Sequence, residues 1–197
     1  MPERPPVLGP EARRELGRLA WAELAAAVRG GRSPALPSAP AEILHPRASF
    51  VSLHDGGGAL RGCIGSIEPR RALAADVIAN ARAAALDDGR FAPVAPVELP
   101  QLQVEIAVLS PLAPLAARSR RELLAALEPG ADGLLLEDGP WRATFLPVVW
   151  EQLPEPERFL AHLERKAGLQ VGGWSASRRV WRYAVESFAA PGLALNA

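Results

Sequence analysis

The sequence holds one cysteine in 197 residues, which excludes an intrachain disulfide and any metal centre built from several thiolates. It has no surplus charge, because 22 basic residues balance 22 acidic ones. The positive bias with which proteins grip a phosphate backbone is therefore missing, and nucleic acid is not expected as a partner. Histidine is scarce: His45, His54 and His162 stand apart, none with a second ligand at metal-binding spacing, so neither metal nor cofactor is expected. There is no phosphate-cradling glycine loop, no dinucleotide fingerprint and no nucleophile-elbow serine. No apolar run approaches the roughly 18 residues of a membrane span, and Met1-Pro2-Glu3-Arg4-Pro5-Pro6 leads into an amphipathic segment rather than a signal sequence. A cytoplasmic protein without membrane association is expected.

Hydrophobic residues, by contrast, make up 49% of the chain, enough to bury a full core at this length. The 20 prolines and 17 glycines punctuate it rather than forming one tract. The expectation is one domain over 1–197, with loose ends at about 1–9 and 189–197 and room for a two-lobe organisation.

Leu16, Leu19, Leu24 and Val28 mark a first helix after Pro10 that ends at Gly30-Gly31. Pro34, Pro37, Pro40 and Pro46 then impose a long extended connection. Ser49–Leu53 and Leu60–Ile67 read as a hairpin around Asp55-Gly56-Gly57-Gly58, and Arg71–Ala85 as a helix with a small-residue face. Leu102–Val108 alternates as a strand buried on its Leu102, Val104, Ile106 and Val108 side. Ser119-Arg120-Arg121-Glu122 has capping-box spacing ahead of a third helix, and Gly133–Glu137 with Trp141–Leu146 forms a second hairpin. Pro156–Lys166 is a last helix closed by Gly168, and Arg178–Phe188 a final strand. Hairpins outnumber strand-helix-strand units, which predicts an α+β fold with a mixed, mainly antiparallel sheet and helices packed on it.

Chemistry concentrates in Leu60-Arg61-Gly62-Cys63-Ile64-Gly65. Residues two apart on a strand share a face, so Arg61 and Cys63 should project together, with Leu60 and Ile64 turned to the core. A guanidinium beside a thiol favours its nucleophilic form, and Gly62 and Gly65 leave room for a ligand or another backbone. The alternative is a buried cysteine acting as a small apolar residue, its glycines serving tight packing. Asn80, Asp88 and Arg90 are candidate ligand-binding groups, or local caps and surface pairs. Glu105 interrupts an apolar strand and is either a general base or the counter-ion of an arginine. His54, on the strand neighbouring Cys63, is a possible partner for the thiol. The five tryptophans read as core anchors.

These motifs, in this order, resemble the AMMECR domain family in its prokaryotic form, protein A of the AmmeMemoRadiSam system. The resemblance runs from Leu60–Gly65 through Asn80-Ala81, Asp88-Gly89-Arg90-Phe91 and Glu105-Ile106. It continues to Leu109-Ser110, Asp132-Gly133, Thr144-Phe145-Leu146-Pro147, Trp150, Lys166-Ala167-Gly168 and Trp174. Three positions depart from the family pattern: Leu86 stands for phenylalanine, Gly89 for proline and Val148 for glutamine. The resemblance implies an α+β fold with a smaller second lobe. It also implies a modification pathway shared with a Memo-like protein and a radical S-adenosylmethionine protein. The expected activity is a cysteine-dependent hydrolytic or acyl-transfer step on a small organic intermediate, with Cys63 as nucleophile, Arg61 or the amide groups of the glycine-containing strand stabilising an oxyanion, and Glu105 or His54 moving protons. A non-catalytic scaffold for the two partners is the alternative.

Overall fold

The computed structural model describes residues 8–36, 40–190 and 192. The first helix, α1, spans Pro10–Val28, with proline at its start, where the missing N–H costs nothing, and Gly30 beyond its end in the left-handed region. The proline-rich connection contains one 3₁₀ turn at Ala41–Ile43. Strand β1 (Ser49–His54) and strand β2 (Leu60–Gly65) form the expected antiparallel hairpin. At its turn Asp55 Oδ1 accepts from the N–H groups of Gly57 and Ala59, both at 2.9 Å, and Gly58 has positive φ. Helix α2 (Leu73–Leu86) follows, then strand β3 (Gln103–Leu109), antiparallel to β1.

A two-residue strand β4 (Ala113–Pro114) precedes helix α3 (Arg120–Ala126), where Ser119 Oγ caps the N-terminus by accepting from Glu122 N–H at 3.2 Å. Strands β5 (Gly133–Asp138) and β6 (Trp141–Phe145) make the second hairpin, and helix α4 (Pro156–Lys166) runs to Gly168.

The expected final strand is two. Strand β7 (Arg179–Tyr183) lies in one sheet and β8 (Val185–Ala190) in another. Between them Ala184 directs both backbone groups to Ser110, its N–H to Oγ and its carbonyl to the N–H, each at 2.9 Å. With those groups taken, Ala184 belongs to neither ladder. Two four-stranded sheets result, ordered β2-β1-β3-β8 and β4-β7-β5-β6. The chain accordingly divides into two units, one running to Leu109 and resuming at Glu186, the other Ser110–Val185. The expected loose N-terminal segment lies outside the described residues except for Leu8, which is buried and donates to Glu186 Oε2, and Gly9. Of the expected loose tail, Ala189 and Ala190 end β8, while 191 and 193–197 lie outside the described residues.

Each unit has its own core. In the first, Leu16, Leu19 and Leu24 of α1 and Val77 and Ala81 of α2 bury one face of the sheet at Val51, Leu53, Val104 and Ile106. In the second, Leu123, Leu134, Leu136, Phe159 and Leu163 are buried, with Trp150 stacked on Phe159 at 3.8 Å between ring centroids. Among the described residues no helix is long and apolar enough to cross a membrane.

Candidate functional site

Strand alternation sorts the β2-β1-β3 face opposite the helices. Val51 and Leu53 turn to the core, so Phe50, Ser52 and His54 occupy the other face, joined by Arg61, Cys63 and Gly65 from β2 and Gln103 and Glu105 from β3. Register then aligns three polar side chains in a row across the strands: Cys63 opposite Ser52, and Ser52 opposite Glu105. Ser52 Oγ donates to Cys63 Sγ at 3.2 Å. The thiol is half-buried and Glu105 is exposed.

β2 is an edge strand, and the backbone of Cys63 faces outward from it. Its N–H donates to Asp88 Oδ2 at 2.9 Å, and its carbonyl accepts from Arg90 Nη2 at 3.2 Å. Asp88 and Arg90 also bind each other through Nε at 2.9 Å and Nη2 at 2.7 Å, so the pair closes the edge where the thiol sits. Asp88 is buried, yet the Arg90 guanidinium holds its carboxyl far below the usual carboxylate range, with the Cys63 and Arg90 N–H groups assisting. Arg90 is held more firmly protonated, chiefly by Asp88 and to a smaller degree by Cys63. Its side chain remains 58% exposed.

Arg61 makes its bonds away from the thiol. Its guanidinium is bidentate to Glu98, at 2.7 and 3.0 Å, and donates to the carbonyls of Ala92 at 2.9 Å and Pro93 at 3.4 Å. Those contacts fasten the segment after α2 along the sheet edge. The charge beside Cys63 comes from Arg90, which acquires that position through the turn after α2.

The two glycines answer to packing. A Cβ at Gly62 would run into the Ala84 carbonyl oxygen of α2, and one at Gly65 into the Phe50 ring. Asn80 lies on the core side of the sheet, 4% exposed, donating to the Ser49 carbonyl and to Asp76 Oδ2, both at 2.9 Å. Asp76 Oδ2 also accepts from Ser49 N–H and from the hydroxyls of Ser49 and Ser66, which locks α2 to the hairpin. Asn80 therefore does not share the face of Cys63. His54 shares that face but makes its contact at the turn: a register shift between Leu53 and His54 sets it opposite Leu60, and its Nδ1 lies 3.3 Å from the Gly58 carbonyl. The same irregularity leaves Leu60 exposed rather than in the core.

Ser52 is the residue sequence reasoning missed. Counting back through the hairpin from its turn would have placed it across from Cys63. Among the described residues no group of three His, Cys, Asp or Glu side chains could hold a metal ion. Of the three departures from the family pattern, Leu86 packs against the first core, Gly89 borders open space and Val148 is exposed. A groove of about 300 Å³ lies elsewhere, lined by Pro10, Arg13, Arg14, Phe188 and Ala189.

A family model described as AMMECR1 matches residues 17–188. A protein of Methanothermobacter thermautotrophicus is 35% identical over 178 residues, which cover 89% of this chain and 92% of that protein. Protein MJ0810 of Methanocaldococcus jannaschii is 34% identical over 161 residues, 80% of each chain. The crystal structure of the uncharacterized protein PH0010 from Pyrococcus horikoshii is similar with a TM-score of 0.84 and 31% identity, covering 92% of this chain and 93% of that one.

Proposed function

The chain belongs to the AMMECR1 family, and from that premise we propose that it carries out a cysteine-dependent hydrolytic or acyl-transfer step on a small organic intermediate, with Cys63 as nucleophile. The observation that supports this reading is the placement of Cys63. A half-buried thiol stands on the sheet face opposite the helices, its backbone N–H and carbonyl held at the strand edge by Asp88 and Arg90 and its sulfur bonded by Ser52. Reactive thiols need access, positioning and neighbouring positive charge together. Arg90 supplies the charge, in the role Arg61 was expected to fill. The intermediate comes from the Memo-like and radical S-adenosylmethionine partners that the family resemblance implies, in the cytoplasm. Glu105, two strands away, reaches the reacting group through the substrate or a water rather than by touching the thiol.

The single cysteine makes the test clean. The native protein, mixed with p-nitrophenyl acetate, should release one equivalent of nitrophenol in a burst and gain one acetyl group at Cys63 by intact mass, and Cys63→Ser should abolish both. An undiminished burst in Cys63→Ser overturns the nucleophile.

A second reading, a non-catalytic docking protein for the same partners, is favoured by one observation. Packing accounts for Gly62 and Gly65, and Glu98 accounts for Arg61. On that reading the native thiol, though half-buried, forms no acyl adduct.

A further inference from the structure

Sheet edges are where a strand of another chain can add, and three of the four edges formed by the described residues are protected. On β2 the outward N–H and carbonyl of Cys63 are taken by Asp88 and Arg90. Strand β4 is two residues long and ends in Pro114. On β6 the Thr144 carbonyl accepts from Lys166 Nζ at 3.0 Å. Strand β8 is the exception. It runs from Val185 to Ala190 at the end of its sheet with no proline or lysine, and among the described residues no loop or side-chain group bonds its backbone. Its one charged side chain, Glu186, is largely buried and is held by the Leu8 N–H at 3.1 Å and by Arg13 Nη2 at 2.7 Å.

This open edge borders the groove of about 300 Å³, which Phe188 and Ala189 of β8 line together with Pro10, Arg13 and Arg14 of α1. No residue of β3 lines it, so it lies beside β8 on the side where an added strand would run. A segment paired to β8 would send every second side chain toward α1. There Phe188 and Pro10 offer apolar surface. Arg13 is taken up by Glu186, whereas Arg14 is exposed and has no hydrogen bond or ion pair among the described residues. We infer that β8 and this groove receive an extended acidic segment of another protein, added as a fifth strand, with one carboxylate on Arg14 and an apolar residue two positions away against Phe188. Main-chain hydrogen bonds to β8 supply the adhesion, and the charge-assisted contact with Arg14 supplies the selectivity. A second copy of this chain fits less well, because the one acid on its β8 is Glu186, already bonded. The inference is independent of any role for Cys63.

The experiment pans the intact chain against a displayed library of random nonapeptides and then synthesises the most enriched one. Enriched sequences should carry an aspartate or glutamate with β-branched or aromatic residues at alternate positions. Binding of the synthetic peptide should slow hydrogen exchange at the backbone amides of Val185–Ala190. Replacing the peptide's acid by its amide should weaken binding about tenfold, the size expected of one charge-assisted contact, and so should Arg14→Gln. The two changes together should cost no more than either alone, because they remove the same contact. Arg14 is exposed and bonds nothing among the described residues, so its substitution leaves the fold intact. Enriched peptides without an acid, slowed exchange elsewhere than β8, or undiminished binding by Arg14→Gln overturns the assignment. Failure to enrich any sequence overturns it too, as does an unmodified chain that sediments as a dimer with β8 already protected, which gives the edge to a second copy.

Discussion

Each unit contains a buried carboxylate held by an arginine, and the two pairs are built to different ends. In Ser110–Val185, Arg178 is 3% exposed and lies between two carboxylates, donating to Glu164 at 2.8 Å and Asp138 at 3.2 Å, and also to the Gly173 carbonyl. Ser175 and Ser177 complete the shell of Asp138. The arginine and both carboxylates are buried, so the network ties α4 and the loop before β7 to β5. In the other unit Asp88 is equally buried, but its arginine stands in solvent beside a thiol. The same ion pair is a strut where both partners are enclosed and a candidate site where one partner keeps a free edge.

The largest expected effect tests the strut. Arg178→Met should cost about 3–5 kcal/mol, because two buried carboxylates lose their cation. Trp141, Trp150, Trp174 and Trp181 all lie in that unit, so their fluorescence during urea unfolding reports it. A cost below about 1 kcal/mol would erase the contrast, since an exposed pair contributes that little.

A smaller effect separates packing from ligand access in the cysteine motif. Gly62→Ala should destabilise by about 1–3 kcal/mol, because the new methyl meets the Ala84 carbonyl, which belongs to a helix backbone and yields poorly. Gly89→Ala, with nothing within 4 Å and no positive φ, should stay within about 0.5 kcal/mol. Circular dichroism during thermal unfolding checks both. A Gly62→Ala protein as stable as the parent would return that glycine to the ligand.

The architecture was largely legible because it is written in local signals. Ser119 caps α3, Gly168 closes α4, and Asp55–Gly58 turns the first hairpin, each through contacts within a few residues. The break at Ala184 was not legible, since Ser110, distant in sequence, takes up its backbone groups. At the site, alternation correctly set Arg61 and Cys63 on one strand and turned Glu105 away from the core. Alternation says which face a side chain leaves from and nothing about where a long one ends. Arg61 ends on Glu98, and Arg90 arrives from a turn 27 residues away. Asn80 and Asp88 are near in sequence but fall on different sides of the sheet problem: one anchors the helix to the core, the other closes an edge.

The smallest effect belongs to that edge, and its pH dependence carries the information. Asp88→Asn keeps an oxygen for the Cys63 N–H and removes the charge facing Arg90, so at neutral pH it should cost about 1 kcal/mol or less, the range of pairs with one exposed partner. The folded carboxyl titrates below its unfolded value of about 3.9. Its stabilisation is therefore fully present above that value and is lost as pH falls through the lower folded one. The difference between parent and Asp88→Asn should thus stay constant from about pH 7 to pH 5 and shrink below about pH 4. The substitution also frees Arg90 from the carboxylate that aims it at the Cys63 carbonyl, so labelling of the native thiol should change by more than the small stability loss explains. Unchanged labelling would mean that Asp88 and Arg90 close a sheet edge and do nothing for the sulfur, and the two units would then differ only in how deeply their ion pairs are buried.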